Sequence, residues 1–176
     1  LGYSSAGTVV SVGEGMPGIQ VGDRVACAGG GYAVHAEYNI VPRNLLTLLP
    51  DSVDFESAAF TTLGAIALQG FRLAQPQLGD QVAVIGLGLL GLLTVGIAKA
   101  AGCRVYGVDI DPARVQLALQ MGADAATVRA DAEETGRSFS SGRGFDAVLI
   151  CADSQSNDPI ELAGALARDH GQVVAV

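Results

Sequence analysis

Gln81-Val82-Ala83-Val84-Ile85-Gly86-Leu87-Gly88-Leu89-Leu90-Gly91 is the stretch on which the reading of this chain turns. Residues 81–85 are a short apolar run of strand character. Three glycines follow in G-x-G-x-x-G spacing, and Leu89 to Ala101 reads as a helix stopped by Gly102. In a strand–turn–helix unit each glycine has its own physical task. Gly86 permits the tight turn, Gly88 lets backbone approach a pyrophosphate, and Gly91 lets the helix pack close to the strand. The helix start adds unpaired N–H groups and the positive end of a dipole, so Leu87, Leu89 and Leu90 join the three glycines in one phosphate cradle. The bland alternative is a compact turn with no ligand.

Downstream residues favour the ligand. Arg104 to Val108 reads as a second strand and ends on Asp109, 18 positions after Gly91. A carboxylate there accepts both ribose hydroxyls of an adenosine and repels a 2′-phosphate, which favours NAD over NADP. Ile110 adjoins it. Arg114, five positions on, suits either the adenine or a phosphate. Methyltransferase sheets also carry a glycine-rich first turn and a distal acid, but their glycines usually run G-x-G-x-G, and position 90 is Leu. The dinucleotide reading is preferred.

The alternation continues to the end of the chain. A helix over 112–121 opens on Pro112 and closes at Gly122, and a strand covers 125–128. A helix over 131–139, a strand over 145–151, a helix over 157–168 and a strand over 172–176 complete it. The strands are continuous apolar runs, as expected where helices cover both faces of a parallel sheet. Cys151-Ala152-Asp153 falls at a strand's carboxyl edge, where such sheets bind ligands, and Ala152 is small enough to let a cofactor pass. The fold class is α/β, a Rossmann-type doubly wound parallel sheet.

Upstream the pattern differs. Thr8 to Val12 reads as a strand, Gly13 to Gly18 as turns, residues 21–27 as a turn entering a strand, and Tyr32 to Val41 as another strand. Asp54 reads as the N-cap of one helix over 55–73, with Gly64 and Gly70 as weak points. The organisation is therefore a β-rich part over 1–53 and a nucleotide-binding domain over 54–176.

Composition narrows the function. The 176 residues carry 10 Lys and Arg against 18 Asp and Glu, a net charge of −8, which argues against a nucleic-acid partner. No apolar run reaches the ~18 residues a membrane span needs. The 24 glycines are roughly twice the usual share of about 7%. Cys27, Cys103 and Cys151 are scattered and form no CxxC pair; with no targeting segment visible, the expected location is cytoplasmic.

Several segments together resemble the medium-chain dehydrogenase/reductases. Gly2 to Val12, Gly22-Asp23-Arg24-Val25, Ala36-Glu37-Tyr38, Val41-Pro42 and Leu49-Pro50 are similar to the later part of their GroES-like catalytic domain. Ala58-Ala59, the glycine motif, Asp109 to Arg114 and Met121-Gly122-Ala123-Asp124 are similar to their cofactor domain. The resemblance implies hydride transfer between a nicotinamide and a small-molecule substrate. It implies further chain before Leu1 and after Val176, an inactive isolated fragment, and a homodimer through the sheet edge as an open alternative.

Zinc is the departure. Tyr3 and Ser4 stand where the zinc enzymes of this resemblance have a His-Glu pair, and Thr62 stands near their Cys ligand. None of these is an ordinary Zn²⁺ ligand. The sequence is more similar to the zinc-independent, quinone-oxidoreductase-like branch, and no metal site is assigned. Cys27, His35 and Glu37 lie near one another, but read as a buried residue and loop-edge polar groups. The expected catalytic residues are Tyr3, Ser4 and Thr62, with the Tyr3 hydroxyl polarising a substrate oxygen; the bland alternative leaves Tyr3 as packing. Two other functions stay open: a zinc-dependent alcohol or polyol dehydrogenase with ligands elsewhere, and a non-catalytic NAD-binding module of a larger protein.

Overall fold

The computed structural model describes residues 1–176 and forms two compact units, Leu1–Ala65 and Ile66–Val176. In the first unit, β1 (Ser4–Thr8), β2 (Arg24–Ala28) and β3 (Leu46–Leu48) make an antiparallel sheet in that order. The strand expected over 8–12 lies four residues earlier. Thr8 pairs with Arg24, the first residue of β2, and past Val9 the partner chain has turned away at Gly22–Asp23. The strand expected over 32–41 does not form. The Asn39 side chain takes both backbone groups of Val34, accepting its N–H at 3.2 Å and donating to its carbonyl at 3.1 Å, which closes the segment into a loop.

Asp54 caps α1 (Phe55–Ala58), its Oδ1 accepting the Ser57 N–H at 2.7 Å. The single helix expected here is two, because α2 (Thr61–Leu73) begins afresh after Ala59–Phe60. Ser4 Oγ donates to the Ala59 carbonyl at 2.5 Å, the oxygen a continuous helix would offer to the N–H four residues on. Gly64 and Gly70 both lie inside α2 without breaking it.

The second unit is built on five parallel strands: β4 (Gln81–Ile85), β5 (Arg104–Asp109), β6 (Ala125–Val128), β7 (Phe145–Ile150) and β8 (Ala167–Ala175). Their spatial order is β6-β5-β4-β7-β8. Connecting helices are α3 (Leu89–Ala100), α4 (Pro112–Gln120), α5 (Ala132–Phe139) and α6 (Asp158–Leu166). All five residues of β4 are buried, and they divide by the two-residue period of a strand. Val82 and Val84 enter a core with Leu92, Val95 and Val105, whereas Ala83 and Ile85 enter another with Tyr106, Val148 and Leu162. Two covered faces explain why the strands read as unbroken apolar runs.

Element ends differ from expectation by a residue or two, except at two places. A short 3-10 turn over Arg129–Asp131 precedes α5, and β8 reaches back to Ala167 through an irregularity opposite Phe145–Ala147. That irregularity lets Gln172–Ala175 pair with Ala147–Ile150 as the apolar pattern required.

Candidate cofactor site

Gly86 leaves β4 at a φ of +89°, a left-handed conformation that favours glycine. A Cβ there would also stand 2.6 Å from the Ala152 nitrogen, so the loop after β4 and the end of β7 touch through backbone. At Gly91 a Cβ would drive into the Gly86 carbonyl oxygen. Gly88 differs. Its Cβ position is open, with only Arg114 Nη1 at 3.9 Å. Two glycines serve the protein's own packing, and the third leaves space.

That space opens onto the start of α3. Gly88 is the N-cap and has no side chain to satisfy the first N–H groups of the helix. Leu87 is committed elsewhere: its N–H donates to Asp109 Oδ2 at 2.6 Å, and its side chain is fully buried in the core. Asp109 Oδ1 accepts the Asp111 N–H at 2.9 Å. A carboxylate has roughly four lone-pair positions, so one per oxygen is left for two further donors. Arg114 Nη1 lies 3.8 Å from Asp109 Oδ2 with its side chain half exposed.

These groups border a cleft of about 460 Å³, within the usual range for a small-molecule site. Of the residues expected to bind a cofactor, Gly86, Gly88, Asp109, Ile110, Arg114 and Ala152 line it. Leu87, Leu89, Leu90 and Gly91 do not; they shape the loop and the helix start behind it. Sequence reasoning missed Arg129, Ser154, Asp158 and Pro159, which also line the cleft. The available signal was position, since Arg129 directly follows the last residue of β6 at the carboxyl edge of the sheet. Cys151 is in the wall as well. Burial pushes its thiol pKa up, with a weaker opposing effect from Thr94, so it is no thiolate nucleophile at neutral pH.

The other candidates belong to the first unit. Ser4 Oγ donates to the Ala59 carbonyl, and Thr62 Oγ1 donates to the Cys27 carbonyl at 3.3 Å. Both hydroxyl protons are thus held by backbone. Tyr3 is 45% exposed, and its hydroxyl is not committed in this way. His35 packs against Gly2, where a Cβ would meet its ring at 2.5 Å, and no group of three His, Cys, Asp or Glu is gathered to hold a metal.

The chain matches the zinc-binding dehydrogenase family over residues 90–176. It is 35% identical over 150 residues to (R,R)-butanediol dehydrogenase of Bacillus subtilis, covering 70% of this chain and 42% of that protein. The alcohol dehydrogenase of Thermus sp. ATN1 superposes with a TM-score of 0.91 at 27% identity, over 100% of this chain and 61% of that one. The chain belongs to the alcohol-dehydrogenase-like medium-chain dehydrogenase/reductases. It spans about half the length of the curated relatives it matches. Another member, a mycobacterial protein solved with NADPH, superposes with a TM-score of 0.84 at 28% identity, over 98% of this chain and 55% of that one. No helix is long and apolar enough to cross a membrane.

Proposed function

We propose that this chain is part of an oxidoreductase that moves hydride between NAD and an alcohol, carbonyl or activated alkene without catalytic zinc. On this reading residues 54–176 bind the cofactor and residues 1–53 contribute to the catalytic domain. The observation that carries it is Asp109, a buried carboxylate at the carboxyl end of β5 with acceptor capacity to spare, beside the open Gly88. The adenosine ribose hydroxyls donate to Asp109, and the pyrophosphate lies over Gly88 against the uncapped start of α3. When bound, the nicotinamide supplies or accepts the hydride. Asp109 sets the cofactor preference, because a 2′-phosphate would be forced against its charge. Arg114 favours the competing reading, NADP, since its guanidinium is exposed within reach of the same spot.

Titration of the full-length protein with NADH and NADPH, followed by nicotinamide fluorescence, tests the assignment. NADH is expected to bind about tenfold or more tighter, equivalent to ~1.4 kcal/mol, and Asp109→Ala to erase the difference. Equal affinities in the unaltered protein would sink the Asp109 role.

The donor chemistry of Tyr3, Ser4 and Thr62 does not fit zinc. Polarisation of the substrate oxygen falls to Tyr3, the hydroxyl of the three that is not given to a backbone carbonyl. Tyr3→Phe is expected to lower kcat/KM by about 10²-fold, in the usual range for a lost proton or oxyanion donor. Unchanged kcat/KM would exclude the role. Stoichiometric zinc in purified full-length protein, with activity lost on chelation, would instead support the zinc-dependent reading.

A further inference from the structure

Two of the cleft's walls are polar in a way the ribose and pyrophosphate do not account for. Arg129 and Asp158 come from separate elements, the turn after β6 and the first residue of α6, and are locked together in the plane of the guanidinium. Arg129 Nε donates to Asp158 Oδ1 at 3.0 Å and Oδ2 at 2.9 Å, and Nη2 donates to Oδ1 at 2.7 Å. The third nitrogen, Nη1, is 4.0 Å from Glu133 Oε1, beyond hydrogen-bonding distance. The pairing uses nitrogens at the guanidinium edge, and no aromatic ring of the protein stacks on its faces. The cation–aromatic contacts in the molecule are Arg24 with Phe55 and Arg104 with Phe139.

The cleft contains no aromatic side chain at all. A purine bound there must find its ring contacts on aliphatic groups or on a guanidinium face, which stacks on π-systems and is weakly hydrated. Ile110 supplies one such surface: it follows Asp109 directly and is 82% exposed. Arg129 is 30% exposed in its side chain and lines the same cleft. Holding a long, rotamer-rich side chain in one geometry costs entropy on binding, and the Asp158 fork removes that cost beforehand.

We propose that Arg129, fixed by Asp158, stacks on the adenine of the cofactor and is a determinant of adenosine recognition, with Asp158 as its positioning residue. The proposal rests on the reading of this cleft as the dinucleotide site. It adds a planar cationic seat for the base.

The test is calorimetry on the full-length protein with three probes: NADH, ADP-ribose, and reduced nicotinamide mononucleotide, which lacks the adenosine. Arg129→Ala is expected to raise Kd for NADH and ADP-ribose by about 2- to 30-fold, the range for an exposed to desolvated cation–π contact, and to leave the mononucleotide unchanged. Arg129→Lys, which keeps the charge but loses the plane and the fork, is expected to behave as Arg129→Ala does, and it stands in for that variant should it fold poorly. Asp158→Asn is expected to weaken ADP-ribose by a smaller factor. Unaltered ADP-ribose affinity in both Arg129 variants would overturn the proposal, and so would an equal loss for the mononucleotide, the mark of general structural damage. If the unaltered protein binds neither NADH nor ADP-ribose, the cleft itself has been misread. That outcome differs from one in which the unaltered protein binds and the Arg129 variants bind as tightly as it does.

Discussion

Gly86, Gly88 and Gly91 look alike in the sequence and are not alike in the structure. The spacing alone announces a close approach of backbone to something, and it does not say to what. At Gly91 the neighbour is the Gly86 carbonyl, and at Gly86 it is the backbone of Ala152; both are protein. At Gly88 there is room. Gly91→Ala must therefore displace backbone, a form of overpacking that costs about 1–3 kcal/mol, or roughly 2–10 °C in Tm for a chain of this size. Gly88→Ala gives up only a favourable N-cap residue, about 1 kcal/mol or less. Its expected effect falls on the ligand: NADH affinity drops by tenfold or more while Tm moves by only a few degrees. Thermal melts and NADH titrations of both full-length variants distinguish the two, and a Gly88→Ala protein with unaltered NADH affinity would mean the open space is not where the pyrophosphate lies. Asp109 was legible for a similar reason, its place at a strand end. Arg129 has the same positional signal after β6, but its pairing has none, because Asp158 is 29 positions away and nothing local marks the pair.

Elements were legible where the local pattern and the tertiary environment agree. Gln81–Ile85 and Ala125–Val128 follow the apolar run to the residue, and Asp54 caps its helix as its residue type suggests. Disagreement appears where a side chain claims a backbone group. Ser4 divides the helix at Ala59, and Asn39 turns 32–41 into a loop. The Ser4 bond crosses 55 residues and has no local signature, and the Asn39 bonds cross only five but do not show in an apolar alternation. The same kind of contact ties strands together at the opposite end of the sheet from the cleft. Asp146 Oδ2 accepts the Gln81 N–H at 2.8 Å and Oδ1 accepts from Arg168 Nε at 2.7 Å, linking β4, β7 and β8. Burial opposes the charge on Asp146, but the Arg168 guanidinium and the Gln81 N–H outweigh it and hold the carboxyl below the ordinary aspartate range. The sign follows from linkage. The unfolded chain takes up this proton near pH ~3.9, the folded one only at lower pH, so the stabilisation is present above ~3.9 and is lost as pH falls towards the folded value. Urea unfolding of the full-length protein across pH 6 to 3 is expected to show a shallower acid loss for Asp146→Asn than for the unaltered protein. Identical slopes would mean that the contact carries no pH-linked stability.

At the scale of the molecule, the strand order β6-β5-β4-β7-β8 puts the first strand of the second unit in chain order at the centre. The chain builds outward on one side, then crosses to the other. The cleft sits where that direction reverses, at the carboxyl ends of β4 and β7, and this is why Gly86 and Ala152 meet. The alternation of strands and helices in the sequence was enough to infer a doubly wound parallel sheet, and the strand order comes from the structure. It was not enough to weigh the two units against each other. Both hydrophobic clusters lie in the second unit, whereas the buried apolar residues of the first are Val25, Ala26, Ala33 and Ala58. Four side chains of valine size or smaller, only two of them in a strand, bury little area at about 25 cal/mol per Å², so the first unit has far less to set against the entropy of ordering its backbone. Amide hydrogen exchange on this 176-residue chain is therefore expected to divide near Ala65. Amides of β4, β5 and β7 should be protected to the level of global unfolding, and those of β1 to β3 should exchange at least ten times faster through local opening. Equal protection on both sides would show that the two units unfold as one, and that burial in the second is shared cooperatively with the first.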